Sequence, residues 1–341
     1  MNDKSVKISS KAKVLACLLE KQGAPVSGGI LAKEMGISRV AVWKTVQALV
    51  EAGYSIETGE TGYLLEPKKE KDFLYPWEFG EKEGLFFHYK NTGSTMDRAR
   101  ELALRGVAGG TVITAEKQSE GRGRNGRTWV SRQGGLFFTI LERPRLAIAD
   151  YALLSLVMQI AVARCVSSVC GQQAYVRWPN DVYINRRKIA GITTEISGEG
   201  DLINWLSGGV GVNVNNQTPS AKAANCAEIT GRQLSRREIL GKILDEIEIV
   251  KKTFSSTAAY FQGSRALAAE WNSLSDCIGA KAAVFEPVNK EENYSADKPG
   301  RIFARGTFAG IDPSGRCILK TEDGKGNLYF NQGSVSLAFL N

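Results

Sequence analysis

One seven-residue stretch, Gly121-Arg122-Gly123-Arg124-Asn125-Gly126-Arg127, limits what this chain can build around it. It holds three arginines and three glycines. Glycine admits positive φ and lets the backbone approach a ligand. Arginine presents a planar, permanently charged fork that suits phosphate and carboxylate oxygens. Such a segment is a mobile loop that closes over an anion, and a poor component of a packed core. Gly121, Gly123 and Gly126 also fit G-x-G-x-x-G, which in a dinucleotide site comes after a strand and opens into a helix. A strand does precede it, Thr111-Val-Ile-Thr-Ala115. On its C-terminal side stand Thr128-Trp-Val-Ser131 and Gly134-Gly-Leu-Phe-Phe-Thr-Ile-Leu141, aromatic and β-branched, and these predict another strand. That argues against a Rossmann turn, and no Lys-Ser/Thr pair completes a P-loop. Taken alone, the stretch also fits a solvated basic hairpin tip.

The chain has 341 residues, enough for two or three domains with a substantial core. Lys and Arg total 44 against 36 Asp and Glu, a net charge of +8 that admits nucleic-acid or polyphosphate partners. Six cysteines (Cys17, Cys165, Cys170, Cys226, Cys277, Cys317) show no C-x-x-C pair and no metal-ligand spacing. They read as reduced, buried thiols of a cytoplasmic protein. No signal-peptide core is evident at the N-terminus and no apolar run reaches membrane-spanning length, so no membrane partner is expected. The single histidine, His88, cannot build a His-based metal site or imply a Ser-His-Asp triad and is assigned a structural role.

Residues 10–65 predict three helices and a hairpin. Ser9 or Ser10 caps the first helix, Ser27 the second, and Gly36-Ile-Ser38 forms a tight turn in which Ser38 caps the third. Helix, glycine turn, helix is the helix-turn-helix signature, whose second helix enters the major groove. The strands around Gly59 add a wing. Ser38, Arg39, Lys44 and Gln47 are the candidate DNA contacts, to phosphates or base edges. A helical interaction module with no DNA role is the alternative. The run Pro67-Lys-Lys-Glu-Lys-Asp72 marks a boundary, giving a winged helix-turn-helix at 1–67 and a linker at 68–82.

From residue 83 strands and helices alternate. Ser94 caps a helix through Leu104, and a long apolar helix runs from Tyr151 to about Cys170. Strands come next at Ala174-Tyr-Val-Arg-Trp178 and Val182-Tyr-Ile-Asn185, then a longer pair over residues 186–195 and 202–214. Glycine-rich strands mark close approach of a ligand or another backbone.

Gly121 to Arg127 with Trp129, Arg177-Trp-Pro-Asn-Asp181, Lys188-Ile-Ala-Gly191 and Gly209-Val-Gly-Val-Asn213 occur in that order. This series resembles biotin–protein ligase, of the kind that carries an N-terminal DNA-binding domain and doubles as the biotin operon repressor. Val26-Ser-Gly28, Leu31-Ala32 and Ser38-Arg39 with Val42-Trp-Lys44 match the repressor domain. Gly310-Ile-Asp-Pro-Ser-Gly315 and Gly333-Ser-Val-Ser-Leu337 match a C-terminal SH3-like barrel. The resemblance implies an α+β protein: the winged domain, a class II aminoacyl-tRNA-synthetase-like catalytic domain at 83–276 and the barrel at 277–341.

It also implies two half-reactions. Biotin and ATP give biotinyl-5′-AMP, and a lysine of a biotin carboxyl carrier protein domain then takes the biotin. Charge neutralisation by placed cations is the main requirement of the first step. By resemblance, Lys188 bridges the biotin carboxylate and α-phosphate, while Arg122 and Arg124 hold the adenylate. Ser94, Thr95, Gln118, Gly121 and Gly191 surround the biotin ureido ring. Trp129 packs by the adenine, and Asn180 and Asn213 contact the nucleotide. Asp181 assists the lysine amine or the metal. Mg²⁺ accompanies ATP, with no ligands assigned. Operator DNA and a ligand-promoted homodimer are the further partners. Met96, where many relatives have a polar residue, and Asn125, where they have arginine, depart from the pattern. Residues 286–301 read as a polar insertion in the barrel. A lipoate-type ligase, or a sensing repressor without catalysis, are the other readings. The loop and Arg177–Asp181 favour biotin, and the intact Lys188, Arg122 and Arg124 favour catalysis.

Overall fold

A computed structural model describes residues 8–21, 23–66, 72–144, 146–252, 260–285, 301–322, 326–333 and 335–340. The insertion expected at 286–301 lies outside these residues except for Arg301. The chain divides into two compact units, 1–88 and 89–341.

The first unit contains α1 (Ser10–Glu20), α2 (Gly28–Met35) and α3 (Arg39–Glu51), followed by a hairpin of β1 (Ile56–Gly59) and β2 (Gly62–Leu65). Each helix starts where a serine hydroxyl satisfies a backbone donor of the first turn. Ser9, Ser27 and Ser38 Oγ accept from the N–H groups of Ala12, Ile30 and Ala41 at 3.1–3.2 Å. Gly36, at φ 66°, makes the left-handed turn between α2 and α3. Val14, Leu18, Leu31, Val42, Val46 and Leu49 form the core. Val26 bonds the wing through both backbone groups of Tyr63, at 2.8 and 2.9 Å.

The stretch expected as linker is in part a component of this core. Residues 67–71 lie outside the described set, but Pro76–Leu85 forms kinked 3-10 turns. Phe73, Tyr75 and Trp77 pack beside Tyr54, with Tyr75 and Trp77 stacked at 4.6 Å and Trp77 Nε1 donating to the Tyr54 hydroxyl at 2.9 Å. Leu74 between them is fully buried and the aromatics partly so, which a reading of charge alone overlooks. His88 sits edge-on to Tyr75 at 4.9 Å.

The second unit is built on a seven-stranded sheet. Its strands are β3 (Phe86–Thr92), β4 (Thr111–Gln118), β5 (Leu136–Glu142), β6 (Ala174–Arg177), β7 (Asp181–Ile184), β8 (Arg187–Glu199) and β9 (Leu202–Val212), in the order β3-β4-β5-β9-β8-β7-β6. Pairing from β4 to β6 is antiparallel throughout. Asn185 and Arg186, at φ 49° and 60°, form the tight turn into β8. The helices are α4 (Thr95–Leu104), α5 (Ala152–Cys170), α6 (Cys226–Thr230), α7 (Arg236–Lys252) and α8 (Tyr260–Ser273). A second antiparallel sheet of β10 (Lys281–Phe285), β11 (Ile302–Ile311), β12 (Cys317–Thr321), β13 (Asn327–Phe330) and β14 (Ser336–Phe339) runs in the order β13-β12-β11-β10-β14.

The α5 helix corrects one expectation. It is long and apolar enough to cross a membrane by length and composition, yet most of it is buried as the central helix of this unit. It packs on the sheet and against α7 and α8. Gln159, fully buried on it, donates to the Pro179 carbonyl at 2.9 Å and accepts from Trp271 Nε1 at 3.1 Å. All six cysteines are free and buried. Trp271 is completely enclosed, so Trp271→Ala is expected to cost about 3–5 kcal/mol, read from chemical denaturation.

Candidate functional site

Glycines on the sheet make the floor of the site. On β9, a Cβ at Gly211 would stand 2.4 Å from Trp129 Nε1, one at Gly209 2.7 Å from Met96 Sδ, and on β8 one at Gly191 2.9 Å from Trp129 Cζ3. The Trp129 indole and Met96 therefore lie directly on bare backbone. On the opposite face, Gly208 admits Met158 of α5, whose sulfur is 2.3 Å from the Cβ position.

A cavity of about 740 Å³ opens above this floor. Its lining includes Ser94, Thr95, Gln118, Arg122, Arg124, Trp129, Asn180, Asp181, Lys188 and Gly191. The structure thus brings together all the ligase-site residues expected from sequence except Gly121 and Asn213. Gly121 lies beneath, where a Cβ would meet the Trp129 carbonyl at 2.5 Å and Ser131 Oγ at 2.6 Å. Asn213 is 4% exposed, and its Oδ1 accepts from Asn216 Nδ2 at 3.0 Å.

One end of the cavity is a hydrogen-bonded polar wall. Gln118 Oε1 accepts from the Thr95 N–H at 2.8 Å and from its hydroxyl at 3.1 Å. Gln118 Nε2 donates to Ser131 Oγ at 2.8 Å, and Thr139 donates to Thr95 Oγ1 at 2.8 Å. Ser94 caps α4 by accepting from the Met96 N–H. The network fixes each amide and hydroxyl in one orientation.

The other end is cationic. Lys188 Nζ stands 2.7 Å from Asp181 Oδ1 and 5.3 Å from the centre of the Trp129 ring. The contact with Asp181 is an ion pair whose angles fall short of a hydrogen bond, leaving Oδ1 buried without a donor. Arg122 pairs with Asp97. Arg124 Nη2 and Trp129 Nε1 are also buried without hydrogen-bond partners. Burial pushes the Arg124 guanidinium below its usual pKa, partly offset by Tyr151 and Asp181. Buried donors without partners are costly unless a ligand meets them. An anion between Lys188 and Arg124 would meet that of Arg124.

The loop is anchored at both stems. Arg236 of α7, 4% exposed, donates to Glu116 Oε2 at 2.8 Å and to the Gly135 carbonyl at 3.2 Å. Within the loop, Gly123 N–H donates to Arg127 O at 2.7 Å and Trp129 N–H to Gly121 O at 2.8 Å.

Two contributors were missed by sequence reasoning. The Lys188 N–H donates to Lys222 O and its carbonyl accepts from Ala224 N–H, both at 2.9 Å, and Lys222 also lines the cavity. Ser336, Leu337, Ala338 and Phe339 of β14 complete the wall. The motif at Gly333–Leu337 points to the barrel and not to the cavity, and Lys222 stands in no motif, so both reach the site only by convergence in space. Arg177 and Asp276 add a bidentate ion pair at 2.9 and 2.7 Å between the two sheets.

Among the described residues no cluster of three or more His, Cys, Asp or Glu stands ready for a metal. In the first unit, Ser38, Arg39 and Lys44 are exposed on α3 and Gln47 is half-buried.

Gly211→Ala is expected to lift Trp129 off the sheet. Intrinsic fluorescence should shift, and affinity for a purine nucleotide should fall about tenfold or more, since the displacement exceeds about 1 Å; equilibrium binding measures it.

Known proteins resemble this chain. The biotin/lipoate A/B protein ligase family model matches residues 89–213, and an HTH domain model matches residues 11–64. The biotin–[acetyl-CoA-carboxylase] ligase of Paracoccus denitrificans is 31% identical over 244 residues, covering 69% of this chain and 93% of that protein. The bifunctional ligase/repressor BirA of Bacillus subtilis (strain 168) is 29% identical over 317 residues, covering 89% and 92%. The solved structure of the Aquifex aeolicus biotin protein ligase in complex with biotin and ATP superposes with a TM-score of 0.60 at 26% identity, covering 75% of this chain and 99% of that one. This chain belongs to the biotin/lipoate A/B protein ligase family.

Proposed function

We propose that the chain activates biotin with ATP, transfers it to a carrier-domain lysine, and represses transcription through its helix-turn-helix unit. The observation that carries the reading is that Lys188 and Arg124, the latter with a buried Nη2 that has no hydrogen-bond partner, line one cavity over a glycine floor. The relatives named as ligases and as a ligase/repressor support it along nearly the whole chain.

In the first step a biotin carboxylate oxygen attacks the α-phosphorus of ATP, and pyrophosphate leaves. Both reactants are anionic, so the barrier falls chiefly through cations already in place. Lys188 lies between carboxylate and phosphate, and Arg122 and Arg124 hold the phosphate side of the adenylate. The wall of Ser94, Thr95 and Gln118 suits the ureido ring, which presents both donors and acceptors. Trp129 stacks by the adenine and Asn180 borders the nucleotide. Gly121 and Asn213 act beneath the lining, shaping the loop and the β9 end. In the second step the carrier amine attacks the acyl carbon and AMP leaves. Asp181, beside Lys188, is placed to take the amine proton.

Mg²⁺ bound to ATP would neutralise the leaving pyrophosphate. The carboxylates present fit a metal that arrives on nucleotide phosphates with Asp181 as a single protein ligand, and do not fit an all-protein cage. The C-terminal sheet is assigned as an SH3-like barrel and the catalytic fold as class II synthetase-like. The boundaries follow the sequence reading, with residues 72–82 reassigned to the first unit. Biotinyl-5′-AMP acts as corepressor, promoting a homodimer that binds a two-fold operator through Ser38, Arg39, Lys44 and Gln47. Six buried free thiols suit the cytoplasm.

The test is transfer of labelled biotin to a carrier domain in the presence of ATP. Lys188→Ala should lower ATP–pyrophosphate exchange at least about 100-fold, and chelation of Mg²⁺ should abolish it. No transfer by the wild type, or undiminished transfer by Lys188→Ala, overturns the assignment. Competition between biotin and lipoate separates this from a lipoate-type ligase.

A further inference from the structure

The outward face of α3 carries more than cations. Val40, Trp43, Lys44 and Gln47 follow i, i+3, i+4, i+7 spacing and so share one stripe. Val42, Val46 and Leu49 occupy the buried face. Val40 is 63% exposed and Trp43 51%. These two large apolar side chains form an exposed pair on one helical turn. The stripe itself has no acidic residue, and Arg39 and Lys44 bracket its apolar pair. The Arg39 guanidinium is held over α2, 3.1 Å from where a Cβ on Gly29 would stand.

The wing has the opposite character. Between Ile56 and Leu65 it carries Glu57 and Glu60 and no lysine or arginine. An acidic hairpin repels a phosphate backbone, so it cannot serve as a second cationic grip on a duplex.

We propose, resting on the DNA-binding reading above, that Val40 and Trp43 are the sequence-discriminating contacts. They dock against thymine methyl groups in the major groove, while Arg39 and Lys44 hold phosphates and the acidic wing stands off the duplex. The thymine C5-methyl is the apolar group on the major-groove edge, so apolar side chains read it as amides read adenine. Burying one methyl is worth about fourfold in affinity. Duplex DNA is favoured over a protein occupant because the apolar pair lies near the N-terminal end of the second helix of a helix-turn-helix, between two cations. With Arg39, Lys44 and exposed Lys33 as the cations of α2 and α3, the slope of log affinity against log salt should be about −2 to −3 per bound chain.

The experiment uses the full chain with biotin, ATP and Mg²⁺. Selection from a random duplex library supplies the site, which is then synthesised with each thymine replaced singly by deoxyuridine, removing only the methyl. Expected are losses of about fourfold at thymines under α3, and disappearance of that methyl dependence in Trp43→Ala or Val40→Ala. Both side chains are exposed, and thermal melting of the variants serves as the folding control. The double change Glu57→Lys with Glu60→Lys should raise affinity for any duplex and steepen the salt slope. Insensitivity to every deoxyuridine replacement overturns the proposal. So does a Trp43→Ala chain that keeps its DNA affinity while changing its self-association in sedimentation. A library that enriches no sequence overturns the DNA-binding reading itself, and this proposal with it.

Discussion

The active unit depends on bare backbone in the middle of a sheet. Gly208, Gly209 and Gly211 on β9 leave room on both faces at once, for Met158 of α5 on one side and for Met96 and Trp129 on the other. Glycine in a strand weakens it, both by entropy and by lost side-chain packing. Here β9 is flanked by β5 and β8 along its length, so the ladder offsets that cost. The central helix can then pack close to the sheet while a flat indole lies on its other side. Any side chain at these positions would separate the layers and close the cavity.

On that floor the charges are arranged so that few are fully satisfied within the protein. Lys188 and Asp181 approach as an ion pair without good hydrogen-bond angles, and Arg124 keeps a buried nitrogen without an acceptor. The opposite wall is saturated: Gln118, Thr95, Ser131 and Thr139 bond one another. One end of the cavity is therefore preorganised for shape and polarity. The other holds electrostatic potential that an anion would discharge. Arg236 ties the two stems of the connecting loop together through Glu116 and the Gly135 carbonyl.

Much of this was legible because it is local. Serine caps at 9, 27 and 38 act within three residues, and the β9 glycines and the basic loop announce close approach before any tertiary information. The features that escaped were decided by distant partners. Phe73, Tyr75 and Trp77 sit among charges and prolines and read as linker, although they pack partly buried against the first unit's core, with Leu74 fully buried between them. The α5 helix has the composition of a membrane span because most of it is enclosed by protein. Lys222 and β14 reach the cavity only through the path of the chain. Motif order pointed to the cations and to Ser94, Thr95 and Gln118, and the geometry added Lys222 and β14 to the lining.

Phe339 and its neighbours on β14 line the same cavity as Lys188, and Asp276 just before β10 grips Arg177. The C-terminal sheet is thus one wall of the binding site. A ligand that touches this wall binds the folded sheet and not its unfolded form, so its binding free energy adds to the stability of that sheet. Occupancy of the cavity and persistence of the C-terminal sheet become one equilibrium. Scarcity of substrate would shorten the lifetime of the protein as well as slow its turnover.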